Sequence, residues 1–286
     1  MGKNREREGA MLEILGILLL LAALAAATAL FYFRHLFDDP AARRVPSVAG
    51  ALGASRVLAV FAHPDDEQLI NGLLTSAKAE GAYLAMVTAT PGDAGTQSPV
   101  VCRQSELGII RKAEALKNGF ALGIDEQEVW DYPDGGVPDI PVDELVARVT
   151  DAMKRYRPDL VVAFWPASGA TSHKDHMRMG LVAEQAIERL KAEGGPSPRF
   201  VAYPLIPRRS LLKLGRRTGK FVAENQPLPT HSTPGNTASK IRGWQIHAAQ
   251  ADYVAKAYKM PTRLLYAIWD KEFYAVRDLE TGQWKN

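Results

Sequence analysis

The stretch RVLAVFAHPDDE, residues 56–67, decides the fold of this chain. Its first half, residues 56–61, is an apolar and partly β-branched run, which is typical of a buried strand. Its second half places one imidazole and three carboxylates directly after that strand. Residues 68–80 then carry leucine and alanine at helical spacing, so the charged cluster lies in a strand-to-helix loop. Open α/β sheets bind their ligands at such loops, at the carboxyl ends of the strands.

Beyond this loop the chain alternates between predicted strands and predicted helices. Apolar runs predict further strands at residues 83–90, 128–132 and 159–165. Helical spacing predicts further helices at residues 103–122, 143–157, 176–193 and 241–259. Residues 226–238 are rich in Pro, Thr, Ser and Asn and predict a loop. The repetition predicts an α/β fold, a Rossmann-like and mostly parallel sheet with helices on both faces.

The N-terminal part of the chain contains a long apolar segment. Residues 14–33, ILGILLLLAALAAATALFYF, carry no charge and are long enough to cross the apolar core of a bilayer. We interpret them as a single uncleaved membrane anchor, and a cleaved signal peptide is the alternative. Three basic residues lie on each side of the segment, so its orientation is left open. The chain is thus divided into a tail (1–13), the anchor (14–33), a linker (34–55) and one domain (56–286).

The charge pattern narrows the choice of partners. Outside the first 44 residues the numbers of basic and acidic side chains are nearly equal, so nucleic-acid binding is not predicted, nor is an obligate protein partner. Residues 208–220 mix leucines with six basic residues. Close to a membrane this segment could lie on anionic headgroups, and a solvated helix face is the alternative.

Two histidine-containing clusters predict a metal site. Catalytic zinc takes about three nitrogen or oxygen ligands and keeps an open position for water. His63 and Asp66 can supply two ligands from the first loop. A second cluster, HKDH at residues 173–176, follows the predicted strand 159–165 and opens the next helix. Because the ends of neighbouring parallel strands lie side by side, the two clusters can meet at one edge of the sheet.

The adjacent aspartates at positions 65 and 66 allow a division of labour. Consecutive side chains in an extended segment point in opposite directions, so one carboxylate can bind a metal while the other accepts a proton from the attacking water. A histidine of the later cluster could stabilise the developing oxyanion. Together these groups are the parts of a metal-assisted hydrolase.

The motif AHPDDE at residues 62–67, with HKDH at 173–176, resembles the PIG-L/LmbE family of zinc-dependent N-deacetylases. That family includes enzymes that deacetylate N-acetylglucosaminyl-phosphatidylinositol. The resemblance continues in the same order through TPGDAG (90–95), RKAE (111–114), DYPDG (131–135) and HAAQ (247–250). It departs from the family at Ala170-Thr171-Ser172, where several relatives carry a tyrosine and glycines.

The resemblance implies a zinc site made of His63, Asp66 and His176, in which another divalent ion such as Fe²⁺ could take the place of zinc. It implies that Asp65 is the general base. The other implied catalytic residues are His173, which would stabilise the tetrahedral intermediate or protonate the leaving amine, and Asp175, which would orient a histidine.

The resemblance also implies sugar-binding roles for Arg111, Asp134 and His247. For Arg111 the alternative is a solvent-facing helix residue, for Asp134 a turn residue, and for His247 a packing or hydrogen-bonding residue. Glu67 belongs to the motif and is expected to bond within its loop or to cap a helix.

The function implied is removal of the N-acetyl group from an N-acetylglucosamine-type glycoconjugate by a membrane-anchored zinc hydrolase. The anchor favours a lipid-linked or membrane-proximal substrate. Two alternatives stay open, which are an amidase that acts on a non-sugar or thiol-conjugate amide and a catalytically silent glycan-binding module.

Overall fold

Eight strands form one mixed sheet in the computed structural model, which describes residues 2–285 and the side chains of residues 7–285. The strands are β1 (Arg43–Arg44), β2 (Arg56–Phe61), β3 (Tyr83–Thr88), β4 (Glu126–Val129), β5 (Leu160–Ala163), β6 (Phe200–Leu205), β7 (His231–Pro234) and β8 (Lys271–Asp278). Their order across the sheet is β1-β7-β8-β6-β5-β2-β3-β4. Only β8 runs antiparallel to its neighbours in this sheet, so the predicted mostly parallel sheet is confirmed.

The helices connect these strands and precede them. They are α1 (Gly2–Leu36), α2 (Val48–Leu52), α3 (Asn71–Ala79), α4 (Leu107–Leu122), α5 (Val142–Tyr156), α6 (Lys174–Ala192), α7 (Arg208–Leu214), α8 (Arg216–Asn225), α9 (Thr237–Ile246), α10 (Tyr253–Tyr258) and α11 (Thr262–Ile268). Short 3₁₀ turns lie at Asp66–Leu69, Gln104–Glu106, Val137–Asp139 and Ala248–Gln250.

The sheet is covered on both faces because its strands are apolar on both sides. Leu58 and Val60 of β2 pack in the cluster that includes α5 and α6. Val57 and Phe61 face the other way and pack in the cluster that includes α2 and α3. Strands buried on both faces read as continuous apolar runs, which is why β2 could be recognised from its sequence.

The strand order reverses beside β2. The chain passes from β2 to β3 on one side, and β5 lies against β2 on the other. A crevice opens at such a switch point, outside the carboxyl ends of the strands. The loops that follow β2 and β5 carry the two predicted ligand clusters, so the fold brings them to the same crevice.

Three segments differ from the prediction. The predicted helix at 241–259 is divided into α9, a 3₁₀ turn and α10. The predicted loop at 226–238 contains β7, which pairs with β1 and β8. Its sequence His-Ser-Thr-Pro is polar and lacks a strand pattern, so the pairing is set by its neighbours. The predicted linker contributes to the core, since Val48 and Ala49 are fully buried and Arg43 pairs with His231. The outer bounds of the domain stay a prediction.

A third apolar cluster lies beside the sheet and was not predicted. It joins residues of α7–α11 to Leu36 and Phe37 at the end of α1. Before this junction α1 is exposed, and its stretch Arg7–Leu36 is long and apolar enough to cross a membrane. An N-terminal signal sequence has the same length and composition, so these two interpretations of α1 both fit the structure.

Candidate metal centre and its surroundings

The loop after β2 folds around the carboxylate of Asp66. The backbone N–H groups of Ala62 and His63 donate to its Oδ2 at 3.0 and 2.8 Å. Burial opposes ionisation of this carboxyl, but the neighbouring His176 and His63 hold its pKa well below its usual range. The loop therefore fixes an ionised carboxylate at the carboxyl end of β2, as expected for a ligand of a cation.

The loop after β5 positions His176. Its ring stacks on Phe164 at 4.1 Å between centroids, and its Nδ1 lies 2.9 Å from the carbonyl oxygen of Gly169. A carbonyl only accepts, so Nδ1 carries the proton and Nε2 is left with a free lone pair. Gly169 has φ +57, and a side chain there would meet the Cβ of His176 at 2.8 Å, so glycine is required.

Three donor atoms of the predicted metal site converge between these loops. His63 Nδ1 lies 3.0 Å from His176 Nε2, and Asp66 Oδ1 lies 3.1 Å from the same Nε2. His63 Nδ1 lies 3.9 Å from the other oxygen of the same carboxylate, Asp66 Oδ2. Ligands bound tetrahedrally to zinc at about 2.0–2.1 Å are about 3.3 Å apart. The three predicted ligands therefore fit one small cation without rearrangement of the backbone.

The charge around His63 also fits a cation. Its second nitrogen, Nε2, lies 3.0 Å from Asp134 Oδ1 and 3.1 Å from Asp175 Oδ2. Burial disfavours the charged imidazole, yet the bonds to these two carboxylates and the nearby charge of Asp66 raise its pKa to about 10. The carboxylates of the buried residues Asp66 and Asp175 and of the half-buried Asp134 surround one imidazole and carry an excess of negative charge, which a divalent ion would offset.

Two other groups of donors include His63. One adds His173 to His63 and His176, and the other joins His63 to Asp134 and Asp175. We favour Asp66 over these groups, because Asp134 and Asp175 face Nε2 of His63 whereas Asp66 and His176 face Nδ1. A histidine ligand commonly donates its other N–H to a carboxylate, which is the place of Asp175 here.

Asp65 lies beside the ligands but points elsewhere. Its backbone has φ 94, an uncommon value for a residue other than glycine. Its Oδ2 accepts a bond from Arg111 Nη2 at 3.2 Å. Burial raises its pKa to about 6, although the Arg111 guanidinium works in the opposite direction. The two adjacent aspartates thus have different surroundings and opposite pKa shifts, as a division into ligand and base requires.

Arg111 holds two loops together. Its guanidinium donates to the carbonyl oxygens of Gly92 and Pro64 at 2.9 and 2.7 Å. The side chain is buried in the structure, which excludes the alternative of a solvent-facing helix residue. Gly92 has φ +72, and a Cβ there would lie 2.3 Å from Arg111 Nη1. Arg111 also borders the cavity described below, so its predicted contact with a sugar stays a prediction.

The structure does not support substrate contact by His247. Its side chain is fully buried, and it does not line the cavity. Its Nε2 lies 2.5 Å from Glu67 Oε1, so His247 pairs with a residue of the AHPDDE motif from behind the site. His247 therefore lies next to the loop of the AHPDDE motif, while other side chains line the cavity.

Glu67 acts within its loop, as expected. Its Oε2 accepts from the backbone N–H of Asp65 at 3.1 Å, and its Oε1 accepts from Asn118 Nδ2 at 2.5 Å. Burial works against ionisation, but the charge and hydrogen bond of His247 lower the pKa of Glu67. No sequence pattern indicated a role for Asn118, which lies on α4 outside the motifs.

A cavity of about 950 Å³ opens above the metal centre. Its inner end is formed by His63, Asp65, Asp66, Arg111, Asp134, His173 and His176. Its outer walls come from α7–α10 and include Arg216, Trp244, Tyr253, Lys256 and Lys259. These wall residues belong to no motif that we could identify, although Gln250 of the late motif also lines the cavity.

Thr171 is a further residue that the sequence did not reveal. Its Oγ1 lies 3.0 Å from His176 Nδ1, beside the Gly169 carbonyl. It occupies the segment in which the chain departs from several family members. The only signal was its position just before the second cluster.

The PIG-L family model, described as GlcNAc-PI de-N-acetylase, matches residues 58–187. Over this stretch the chain is similar to the PIG-L family. The matched part contains both predicted ligand loops, Asp65 and Arg111, but not the C-terminal third that forms the outer walls of the cavity.

Related proteins carry the similarity further along the chain. A 1D-myo-inositol 2-acetamido-2-deoxy-alpha-D-glucopyranoside deacetylase from Kineococcus radiotolerans is 26% identical, over 88% of this chain and 87% of the relative. A protein of the same name from Streptomyces griseus is 31% identical over 53% of this chain, which spans about half (54%) of that relative. Among solved structures, an N,N'-diacetylchitobiose deacetylase from Pyrococcus horikoshii has a TM-score of 0.60 at 20% identity, covering 81% of this chain and 86% of the other. This structural similarity shows that the two proteins share a fold.

Proposed function

We propose that this protein is a metal-dependent hydrolase that removes the acetyl group from an N-acetylglucosamine-type sugar conjugate, including lipid-linked ones. The observation that carries the proposal is the convergence of His63, Asp66 and His176 on one point at the inner end of a large cavity, with Asp65 beside them. The similarity of residues 58–187 to the PIG-L family and the names of the relatives support the amino-sugar substrate. Zinc is the ion we propose, and Fe²⁺ offers the same coordination.

The ion and the residues around its proposed ligands have different roles in the reaction. A divalent ion held by His63, Asp66 and His176 would supply a Lewis acid for the amide carbonyl and lower the pKa of water. Asp65 is the carboxylate that is free to accept the proton of the attacking water, since its side chain borders the cavity and binds none of the three donors. Arg111 keeps this carboxylate in place through its bond to Oδ2.

His173 is placed to stabilise the oxyanion. It caps α6, and its Nδ1 accepts the backbone N–H of Asp175 at 3.3 Å. The neutral ring therefore carries its proton on Nε2, on the exposed side chain that borders the cavity. From there its Nε2–H can donate a hydrogen bond to the oxyanion. The proton that Asp65 accepts from the water is then available to the amine as the C–N bond breaks, so that acetate and a free amino sugar are released.

The remaining predicted residues would act through others or on the sugar. Asp175 is buried and its Oδ2 contacts His63, so we assign it to the orientation of that ligand. Asp134 borders the cavity while it also contacts His63, and we assign it to sugar binding. We propose that α1 anchors the protein in the membrane. Mass spectrometry of the purified protein tests the latter assignment, since a mass that lacks the N-terminal residues would show cleavage.

The experiment is acetate release by the full-length protein in detergent, with a panel of N-acetylglucosamine conjugates that includes inositol-linked and lipid-linked forms. We expect activity that a chelator abolishes and zinc restores. Asp65→Asn should remove turnover while zinc still binds, whereas the control Asp131→Asn, at an exposed carboxylate, should not. Release from non-sugar amides alone would favour the amidase alternative, and the absence of any release would favour a binding module.

A further inference from the structure

Helices α7 and α8 present an outward surface of unusual composition, which we call the α7–α8 surface (residues 208–221). Six basic side chains on it are exposed, namely Arg208, Arg209, Lys213, Arg216, Arg217 and Lys220. Leu212, Leu214 and Phe221 are also exposed, by 49%, 41% and 40%. The segment contains no acidic residue. Within residues 7–285, the sole salt bridge of these six cations joins Lys220 to Glu224, at 3.8 Å.

The opposite sides of these two helices are buried. Leu211 and Val222 pack in the third apolar cluster, together with Leu36 and Phe37 at the end of α1. Arg209 Nη1 also donates to the carbonyl oxygen of Asp38, at 3.3 Å. The α7–α8 surface therefore begins beside the point at which the long apolar helix meets the domain.

The combination of cations with apolar side chains distinguishes this surface from an ordinary solvated one. Cations alone are well hydrated, but three large apolar side chains among them gain nothing from exposure to water. Exposed basic and apolar side chains on one helical surface are typical of segments that lie in the interface of an anionic bilayer. The basic residues supply the charge that anionic headgroups complement.

We propose that the α7–α8 surface rests on anionic lipid headgroups of the bilayer that α1 crosses. This proposal rests on the proposed membrane anchor and not on the reaction. The attachment of α1 through Phe37, which stacks on Trp269 at 5.3 Å between ring centroids, would hold the domain at a fixed distance from the bilayer.

The surface would also place the cavity at the membrane. Leu214, Arg216 and Trp269 line the cavity, so the same helices form its wall and the proposed contact with lipid. Trp269 and Tyr258 both pack against Phe37 and line the cavity. A sugar on a lipid anchor could then reach the inner end of the cavity from the headgroup layer without leaving the bilayer.

The test uses full-length protein in vesicles with a fluorescent label on a single cysteine. In a Cys102→Ser background, Leu212→Cys places the label on the α7–α8 surface. Phe120→Cys is the control, because Phe120 is 87% exposed in the last turn of α4, at the end of the domain away from the cavity. Lipids with a spin label near the headgroup should quench the label at 212 and not the label at 120, in phosphatidylcholine vesicles that contain phosphatidylglycerol.

The contribution of charge is tested with variants outside the cavity wall. Each cation near an anionic surface contributes about fivefold to binding, so three glutamines should weaken the contact about a hundredfold and abolish the quenching at 212. The variant combines Arg208→Gln, Lys213→Gln and Arg217→Gln. Its control, with the same change of charge, combines Lys117→Gln, Lys154→Gln and Arg157→Gln.

The outcomes separate the surface from the anchor. Equal quenching at 212 and 120, equal quenching without phosphatidylglycerol, or unchanged quenching in the variant with Arg208→Gln would each overturn the proposal. Flotation of the vesicles at alkaline pH reports on α1 independently. Protein that leaves the vesicles there would overturn the anchor and the surface together, whereas neither measurement depends on deacetylase activity.

Discussion

Replacement of Glu67 by glutamine should disturb the catalytic loop while conserving its shape. Glu67 is 1% exposed, and its two oxygens accept bonds from Asp65 on one side and from Asn118 and His247 on the other. A glutamine has one acceptor oxygen, so its NH₂ group must face an N–H donor on one of these two sides. In either orientation one buried contact becomes repulsive.

The cost follows from these contacts. A buried polar group without a partner costs about 1–3 kcal/mol, and the bond to His247 loses the additional strength that a charged acceptor gives it, about 1 kcal/mol. We therefore expect the free energy of unfolding to fall by about 2–4 kcal/mol. For a domain of this size that corresponds to a decrease in melting temperature of about 5–15 °C. If the backbone of Asp65 moves by about 1 Å, turnover should fall about a hundredfold.

Tryptophan fluorescence of the detergent-solubilised protein gives the melting temperature, and acetate release well below that temperature gives kcat. The matched control is Glu272→Gln. Glu272 is a buried carboxylate that accepts bonds from the backbone of Gly72 and Leu73 and pairs with Lys240 at 3.0 Å. The control should lose at least as much stability and keep its kcat. The reasoning is refuted if Glu67→Gln melts like the wild type, or if it keeps a normal kcat while folded.

Three further predictions concern neighbouring groups. Thr171→Val removes one of two partners of His176 Nδ1 and should weaken zinc affinity about tenfold, as measured by competition with a chromogenic chelator. Asp175→Asn removes a carboxylate that contacts His63, and the zinc affinity should fall by about ten- to a hundredfold in the same assay. Unchanged zinc affinity would contradict the assignment of Asp175 to the orientation of His63. Burial, with the nearby cations Arg43 and Lys285, lowers the pKa of His231. The unfolded chain therefore binds its proton first, and stability should decrease as the pH falls below about 6.5; His231→Asn should remove this part of the slope in melting temperature.

The sequence predicted the inner end of the cavity because its residues follow strands. His63 and Asp66 follow the buried strand β2, and His176 lies in the first turn of α6, directly after the loop that follows β5. Parallel strands bring such loops together. The position of each predicted ligand along the chain therefore indicated where it lies in the fold. The same reasoning placed Asp65 and His173 correctly beside them.

Contacts between distant segments could not be predicted in this way. His247 pairs with Glu67 across 180 positions of the chain, and no local pattern distinguishes a buried partner of a carboxylate from a sugar-binding histidine. The strand β7 has a polar sequence and exists because β1 and β8 lie on either side of it. Both features are consequences of packing, which acts after the local pattern has formed the elements.

The cavity walls and the inner end of the cavity are formed by different parts of the chain, and only the inner end could be predicted from the sequence. The inner end comes from loops of the parallel sheet, and its residues belong to the matched part of the family. The walls come from α7–α10, which pack on the third apolar cluster and, through Phe37, on the end of α1. A change in this cluster would therefore alter access to the cavity and the junction with α1 together, while the predicted ligands that follow β2 and β5 stay in place. On the proposed function, the inner residues would carry out the reaction, while the walls and the proposed anchor would determine which acetylated conjugate reaches them.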